Sequence, residues 1–344
     1  MARRLAEVAK YAGVSEATVS RVLNQKPGVA KATQELVLTA LDVLGYERPT
    51  QLRGERARLV GLVLPELQNP IFPAFAEVVA DTLAKRGFTP VLCTRTSAGI
   101  SEADYVDMLL EHQVSGVIFS GGQYAQEAAD HEHYIRLRGR GLPVVLVNAA
   151  YDDLGFPRIS TDDRSAVEQA FTHLRSLGHE RIGMVLGPAD HVPSARKLAA
   201  FQVLSAEQGT DRDLVDRCVF SMESGQAAGR RLLRRGATGL ICASDIIALG
   251  VVRAARREGY EVPDDVSVIG FDDSALMSCT DPPLTTVRQP IEAMGRSAVA
   301  TLMNQIGGAP VSTEELLFEP ELVVRASTGP VGSITALRAA SGQP

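Results

Sequence analysis

The sequence predicts a small all-α head followed by a larger α/β body made of two lobes. The first 58 residues hold three short segments in which apolar side chains recur at helical spacing. From about residue 58 onward, short apolar runs alternate with amphipathic segments of helix length. The chain has 344 residues, of which 45% are hydrophobic, so it can bury a sizeable core. About ten expected strands exceed one open sheet, and we therefore expect two lobes.

The head carries a helix-turn-helix pattern. Apolar side chains share one face from Leu5 to Ala12, and Gly13 follows where a helix end favours positive φ. Ser15 is suited to cap a second helix. The outer side of that helix is expected to carry Glu16, Ala17, Ser20, Arg21 and Asn24. A third helix, over about 32–44, is expected to bury Leu36, Val37, Ala40, Leu41 and Leu44. Two helices joined by so short a turn fit the major groove of DNA, whereas the alternative is a three-helix scaffold with a polar face.

The body is expected to contain parallel sheets, because its apolar runs do not alternate with polar residues. The expected strands are 58–64, 89–94, 114–120, 142–148, 180–186, 239–243, 266–271 and 285–288. The expected helices are 73–86, 102–112, 163–177, 194–208, 224–235, 246–258 and 291–306. Ligands of such sheets bind beyond the carboxyl ends of the strands, so binding residues are expected there.

The net charge of −6 conceals an uneven distribution. Residues 1–58 carry ten basic and six acidic side chains, which leaves a charge of −10 on the rest of the chain. A basic head on an acidic body suits a protein that touches a polyanion only through the head.

Several classes of protein are excluded by what the sequence lacks. No apolar run approaches the ~18 residues that span a bilayer, and the N-terminus is too charged for a secretory signal, so we expect a cytoplasmic protein with no membrane partner. The cysteines are scattered singly at Cys93, Cys218, Cys242 and Cys279, which indicates free thiols.

Catalysis and metal binding are not expected. The sequence has no Gly-rich phosphate loop and no nucleophile elbow, so we expect no cofactor and no catalytic residues. His131, Glu132 and His133 resemble a metal cluster, but residues two apart diverge on a helix and a solvated face is the expected role.

Five separated blocks carry a family resemblance. AEVAKYAGVSEATVSRVLN (6–24) resembles the DNA-binding signature of the LacI/GalR family of bacterial transcriptional regulators. Four further blocks resemble the family's effector-binding core in the same order: GLVLPELQNPIF (61–72), LRSLGHERIGMVLGP (174–188), CASDIIALGVVRAARREGYEVPDDVSVIGFDDS (242–274) and PPLTTVRQP (282–290). The resemblance implies a core of two lobes with a fold like that of periplasmic binding proteins.

The resemblance also implies how the head contacts DNA. Base-reading positions fall on Glu16, Ala17 and Arg21, and phosphate contacts fall on Ser15, Thr18 and Ser20. An arginine there can bond guanine N7 and O6, and a methyl group can pack on thymine. The alternative for Glu16 is a first-turn acid that the helix dipole favours.

The segment after the head is about three residues shorter than the family's hinge helix. Aligning LRG (52–54) with the end of that hinge places Leu52 at the leucine that wedges between base pairs in the minor groove. The alternative for Leu52 is an ordinary linker residue.

The family's ligand positions fall on Phe72, Asn148, Arg196, Lys197, Phe220, Ser244, Asp245, Asp272 and Gln289. Most of them lie where the expected strands end. Amides and carboxylates beside aromatic rings suit a polyhydroxylated ligand, so a sugar is the expected effector. Alternatives remain: Asp245 and Asp272 are also suited to cap helices, and Phe72 and Phe220 to pack in the core. Lys197 stands where the family commonly has arginine, which leaves open whether Lys197 or Arg196 reaches the ligand.

These inferences assign a domain to each part of the chain. The expected domains are a helix-turn-helix domain (1–46), a short hinge (47–57), an effector-binding core (58–327) and a frayed tail (328–344). Within the core, one lobe takes about 58–160 with 290–327, and the other takes about 161–289.

The predicted function is that of a homodimeric repressor that binds a pseudo-palindromic operator and responds to a small metabolite. A solute-binding protein for sugar transport and an α/β enzyme acting on sugars are the alternatives.

Overall fold

The computed structural model describes residues 2–23, 26, 28–44, 46, 58–95, 99–149 and 154–332. The chain divides into two compact units, Met1–Arg58 and Leu59–Pro344. The expected hinge, including Leu52, and Asn24 of the second helix lie outside the described residues.

The first unit consists of the helices α1 (Ala2–Ala12), α2 (Glu16–Leu23) and α3 (Lys31–Val43). Gly13 has a φ of 66° directly after α1. The Ser15 hydroxyl accepts a hydrogen bond of 3.1 Å from the amide of Thr18, as expected of a helix cap. The buried core of the unit is formed by Val8, Ala9, Val19, Val22, Val37, Ala40 and Leu41.

One core prediction for this unit is wrong. Leu36 was expected to be buried, but it is 57% exposed. Val37, Ala40 and Leu41 occupy the inner face of α3, and Leu36 lies one residue, or about 100°, away from Val37 around the helix.

The second unit contains two six-stranded sheets, which we call sheet I and sheet II. Sheet I is fully parallel. Its strands, from one edge to the other, are β2 (Thr89–Thr94), β1 (Leu59–Leu64), β3 (Gly116–Ser120), β4 (Val144–Val147), β5 (Arg158–Thr161) and β11 (Glu315–Phe318).

Sheet II is parallel except for its last strand. Its strands, in spatial order, are β7 (Val215–Arg217), β6 (Ile182–Leu186), β8 (Gly239–Cys242), β9 (Ser267–Asp272), β10 (Thr285–Arg288) and β12 (Glu321–Val323). β12 pairs antiparallel to β10, whereas the other neighbours pair parallel.

Eight helices that surround these sheets are α4 (Ile71–Ala84), α5 (Glu102–Glu111), α6 (Glu132–Gly139), α7 (Asp163–Ser176), α8 (Val192–Gln208), α9 (Met222–Arg234), α10 (Asp245–Arg257) and α11 (Ile291–Ile306). One face of sheet I packs on α4 and α11, and its other face packs on α5 and α6. Beside sheet II, α7 packs against α8 and α9 against α10. Burial on both faces explains why these strands read as continuous apolar runs.

The chain passes between the sheets three times, after β5, after β10 and after β11. The sequence placed residues 290–327 together in the first lobe, whereas β12 belongs to sheet II. The chain therefore leaves the first lobe directly after β11. The strands β5, β7, β11 and β12 were not predicted, since each has only three or four residues and most carry a charged side chain. The helix α6 was also missed.

The start of the expected frayed tail is well bonded. Gly329 donates a backbone hydrogen bond of 3.0 Å to the hydroxyl of Ser267, and Val331 donates one of 3.2 Å to the carbonyl of Leu177. The tail prediction was therefore wrong as far as Val331, because these polar partners lie on the second lobe. Residues 333–344 lie outside the described part of the chain.

Candidate functional site

A cavity of about 350 Å³ lies between the two lobes of the second unit. Its wall is built largely from residues at the carboxyl ends of the strands, where parallel sheets bind their ligands. Seven of the nine predicted effector-binding residues line it: Phe72, Asn148, Lys197, Phe220, Ser244, Asp272 and Gln289. The structure therefore brings together side chains that are up to 217 residues apart in sequence.

Asp272, the last residue of β9, is the centre of a polar network that joins the lobes. Its Oδ1 accepts a hydrogen bond of 2.6 Å from the Gln289 side-chain amide. Its Oδ2 accepts one of 3.3 Å from Asn69, which follows β1 in the other lobe. Burial raises the pKa of Asp272 well above its ordinary value, and the negative charge of Asp245 adds to this. A ligand hydroxyl that bonds this carboxyl group would contact a side chain that is itself bonded to the other lobe.

Gln289 extends the network to the crossing after β10. Its Oε1 accepts a hydrogen bond of 2.9 Å from the hydroxyl of Thr161 at the end of β5. Both side chains are buried. Two of the three crossings between the lobes are thus bonded directly to each other beside the cavity.

The backbone is strained at two strand ends that face the cavity. Asp272 and Asp273 have φ values of 123° and 57°, and Asn148 and Ala149 have values of 69° and 54°. Positive φ is unfavourable for residues other than glycine and concentrates at functional sites. The Asp273 carboxylate holds its turn in place by accepting hydrogen bonds from Arg288 at 2.7 Å and Arg325 at 2.6 Å.

Lys197 of α8 is buried and forms an ion pair with Asp163 at the start of α7. Its Nζ lies 4.0 Å from the centroid of the Phe271 ring. Burial raises the pKa of Asp163, and the charge of Lys197 opposes that effect. The wall therefore contains a cation and a carboxyl group that hold each other in position.

Two predicted effector-binding residues, Arg196 and Asp245, lie outside the cavity lining. Arg196 forms an ion pair of 2.8 Å with Glu315 of β11, and of these two neighbouring basic residues only Lys197 lines the cavity. The carboxylate of Asp245 accepts hydrogen bonds from the amide of Ser274 at 2.8 Å and the hydroxyl of Thr286 at 2.6 Å. Arg196 and Lys197 are neighbours on α8, so their side chains point in different directions. The resemblance in sequence could not show which of the two faces the cavity.

Aromatic rings line the cavity where glycines leave room for them. A side chain at Gly187 would come within 2.5 Å of the Phe220 ring. A side chain at Gly121 would come within 3.0 Å of the Phe72 ring. The edge of His191 meets the Phe220 ring at a centroid distance of 5.2 Å. These rings give the cavity apolar surfaces beside its polar groups.

Sequence reasoning missed Glu102, a buried acid at the start of α5 that lines the cavity. Its carboxylate accepts hydrogen bonds from the Tyr134 hydroxyl and, at 3.3 Å, from the amide of Gln123. His133 lies 3.2 Å from the same carboxylate and is buried, so the expected solvated face was wrong for this histidine. The network holds the loop after β3 against the cavity. The spacing of His133 and Tyr134 gave no signal, because their partner Glu102 lies 31 and 32 residues away in the sequence.

Two loops, one from each lobe, are joined by main-chain bonds. Glu127, in the loop after β3, donates a backbone hydrogen bond of 3.0 Å to Asp190, in the loop after β6. Gln126 and His191 form an antiparallel β-bridge beside it. The lobes therefore also touch at these two loops, where Gln126 and His191 line the wall of the cavity.

In the first unit, α2 presents its predicted recognition residues on the surface. Glu16, Ala17 and Arg21 are exposed, whereas Val19 and Val22 are buried against α1 and α3. The hydroxyls of Ser15 and Thr18 bond each other at 2.9 Å on the same surface. Ser20 is partly buried on this helix.

Within the described ranges, no group of three or more His, Cys, Asp or Glu side chains is placed to hold a metal ion. The four cysteines are free thiols. Every described helix is too short or too polar to cross a bilayer.

Comparisons with known proteins identify the family. Residues 4–49 match the family described as bacterial regulatory proteins, lacI family, and residues 171–328 match a periplasmic binding protein-like domain. The HTH-type transcriptional regulator reg1 of Streptomyces lividans is 53% identical over 95% of this chain and 97% of its own length. The chain belongs to the LacI family.

Further LacI-family relatives agree with this assignment. The HTH-type transcriptional regulator MalR of Streptomyces coelicolor is 52% identical over 95% of this chain and 97% of its own length. A solved complex of the transcriptional regulator CelR with cellobiose is similar with a TM-score of 0.70 and 32% identity, covering 94% of this chain and 99% of that one. The lac repressor dimer bound to operator and the anti-inducer ONPF is similar with a TM-score of 0.70 and 28% identity, covering 94% of this chain and 98% of that one.

The family assignment decides between the classes of protein that the sequence left open. The chain is a transcriptional regulator of the LacI type and is not an enzyme. The transport alternative loses its support, because curated relatives that match 95% of the chain are named transcriptional regulators.

Proposed function

We propose that this LacI-family regulator is a repressor whose affinity for a pseudo-palindromic operator is set by a sugar bound between the two lobes of its core. The observation that carries the proposal is the network around Asp272, in which one buried carboxyl group bonds Asn69 of the opposite lobe and Gln289 at a crossing. The proposal also implies a cytoplasmic protein, since operator DNA lies there.

The operator would be bound through the exposed side of α2. Arg21 can donate two hydrogen bonds to guanine, and the methyl group of Ala17 can pack against thymine. Ser15, Thr18 and Ser20 would contact phosphates, and Asn24 and Leu52 complete the predicted DNA-binding set. Two heads in a homodimer would read half-sites about one helical turn apart.

The effector would be a sugar because the cavity combines rings with closely spaced polar groups. Each sugar hydroxyl requires a donor and an acceptor, and Asp272, Gln289 and Asn148 together supply both kinds of group. Two of the solved relatives carry sugars, cellobiose in the CelR complex and ribose in a LacI-family regulator of Enterococcus faecium, which has a TM-score of 0.70 and 25% identity.

Coupling would arise because the same groups bond the ligand and join the lobes. A ligand that bonds Asp272, Asn69 and Gln289 has a different affinity for each arrangement of the lobes, and such a difference is what shifts a conformational equilibrium. A coupling free energy of about 1–3 kcal/mol, usual for allosteric pairs, would change operator affinity by roughly 5- to 150-fold.

The proposal is tested with the full-length chain and DNA. Selection from a random duplex library should return a pseudo-palindrome, and fluorescence anisotropy should then show that a saturating sugar changes operator affinity. Selection of asymmetric or unrelated sequences would contradict the dimeric operator. An operator affinity that no sugar changes would contradict the effector assignment while leaving the regulator assignment intact.

A further inference from the structure

The cavity extends across most of both sheets. In sheet I, its lining includes residues at the ends of five adjacent strands, β5, β4, β3, β1 and β2: Thr161, Asn148, Gly121, Glu66 and Arg95. In sheet II, it includes residues at the ends of β10, β9, β8, β6 and β7: Gln289, Asp272, Ser244, Pro188 and Phe220. Since neighbouring strands lie about 4.8 Å apart, five strand ends span roughly 19 Å. The site is therefore elongated.

The two ends of this elongated site differ in how their polar groups are used. At the end beside the crossings, Gln289 bonds both Thr161 and Asp272. Lys197 and Asp163, also in the wall, form an ion pair. The predicted effector-binding residues that line the cavity include these paired groups, and we call the space beside them the inner subsite.

The opposite end, at β1 and β2, carries charged groups that have no partner in the described parts of the chain. Glu66 follows β1 and Arg95 follows β2, and both line the cavity. Neither side chain forms an ion pair or hydrogen bond with any described residue. Glu66 is partly buried, and loss of solvation raises the pKa of its carboxyl group. A hydroxyl donor would therefore stabilise its charged form.

We infer that Glu66 and Arg95 form an outer subsite, and that the effector is an oligosaccharide of at least two linked pyranose rings. The inference rests on the proposed sugar-binding function. Opposite hydroxyl oxygens of a single ring lie only roughly 6 Å apart, given single bonds of about 1.5 Å, so one ring cannot reach from Gln289 to Arg95. A carboxylate and a guanidinium provide the acceptor and the donors that the hydroxyls of a second ring require.

The presence of both a negative charge, on Glu66, and a positive charge, on Arg95, favours a second neutral ring over an anionic group. A sugar phosphate could pair with Arg95, but it would bring a negative charge to the end of the cavity that also carries the Glu66 carboxylate, and like charges repel. Neutral hydroxyls satisfy both residues. Neutral oligosaccharides are therefore expected to bind more tightly than a phosphorylated monosaccharide.

The experiment is isothermal titration calorimetry on the full-length chain with glucose, glucose 6-phosphate, cellobiose, maltose and maltotriose. At least one of the three oligosaccharides should bind about tenfold or more tightly than glucose, because each hydrogen bond to a charged group adds a measurable increment. In Glu66→Gln and in Arg95→Met, the ratio of the affinities for that oligosaccharide and for glucose should fall about tenfold. Glu77→Gln and Arg86→Met, on exposed positions of and after α4, are the matched controls and should retain the ratio.

The other outcomes overturn the inference in distinguishable ways. Equal affinity for glucose and all three oligosaccharides, tighter binding of glucose 6-phosphate than of any oligosaccharide, or an unchanged ratio in either variant would contradict the outer subsite while leaving a sugar effector in place. Failure of every sugar to bind a chain that still binds its operator would instead contradict the proposed sugar-binding function, and the inference would fail with it.

Discussion

Asn69 and Asp272 lie on opposite lobes and are joined by a hydrogen bond of 3.3 Å beside the cavity. Both side chains are buried, and no predicted site residue other than Asp272 and Gln289 takes part in this network. Asn69 was absent from the predicted set, although it follows β1 more closely than Phe72 does. The contact makes Asn69 a residue of the first lobe that bonds Asp272 directly, whereas Thr161 reaches it through Gln289.

Substitution of Asn69 by alanine should weaken both the fold and the effector site. It removes a donor from a buried carboxyl group, which costs about 1–3 kcal/mol in unfolding free energy. Effector affinity should fall about tenfold or more for the same reason. Urea unfolding and calorimetry provide the two measurements. Gln68→Ala, one residue earlier and exposed, is the control, and equal effects of the two substitutions would contradict the assigned contact.

Arg21→Lys should remove base discrimination while it retains the positive charge. Lysine cannot reproduce the planar bidentate contact of a guanidinium, so preference at one base pair in each half-site should relax by about 1–3 kcal/mol. Binding to a panel of operator duplexes that differ at single base pairs measures this. Lys10→Arg, on α1, is the control. A variant with the same rank order of duplexes as the unmodified chain would show that Arg21 does not read a base.

Gly187→Ala should disturb the cavity by displacing Phe220. The added carbon would lie 2.5 Å from the ring and 2.7 Å from the Ser194 hydroxyl, and overpacking of this kind costs about 1–3 kcal/mol. Effector affinity should fall, as calorimetry would detect. Gly139→Ala meets nothing within 4 Å and is the matched control. Unchanged affinity in Gly187→Ala would indicate that the ring does not contact the ligand.

Stability should depend on pH through His191. Burial lowers the pKa of this histidine from 6.5 to about 4, and the charge of Lys197 contributes. Between these values the unfolded chain binds a proton that the folded chain does not, so the unfolding free energy falls as the pH drops through the window and is unaffected above it. The loss is on the order of 3 kcal/mol by pH 4.

The difference between the unmodified chain and His191→Gln isolates this effect. Buried carboxyl groups with raised pKa values, such as Asp163 and Asp272, act in the opposite direction but are present in both proteins. Urea unfolding at about pH 7 and about pH 4.5 should show a smaller loss of stability in the variant. Equal losses in the two proteins would mean that folding does not lower the pKa of His191.

Much of the fold could be predicted because burial leaves a direct mark on the sequence. The strands β1, β3 and β4 are buried on both faces and consist of apolar runs. Ser15, a typical capping residue, marks the start of α2. The strand β7 reads Val-Asp-Arg and leaves no such mark, since it is short and at the edge of its sheet. Short edge strands are defined by a neighbour distant in sequence, which periodicity cannot reveal.

Two criteria predicted part of the candidate site: the resemblance to the family, and the expectation that ligands bind beyond the carboxyl ends of parallel strands. Those two criteria found Asp272 and Gln289 but did not separate Lys197 from Arg196, because the direction of a helical side chain depends on packing. Glu102 was missed because its role depends on Tyr134 and His133, which reach it from another helix. Contacts of that kind require coordinates.

Operator affinity should be measured by fluorescence anisotropy with and without a saturating sugar, in the unmodified chain and in Asp272→Asn. The sugar should change the operator affinity of the unmodified chain by about fivefold or more. It should leave that of Asp272→Asn unchanged at the same concentration, while Asp81→Asn, an exposed partner of Lys85, should respond normally. If the sugar changed the operator affinity of Asp272→Asn as much as that of the unmodified chain, ligand binding in this cavity would not control operator affinity.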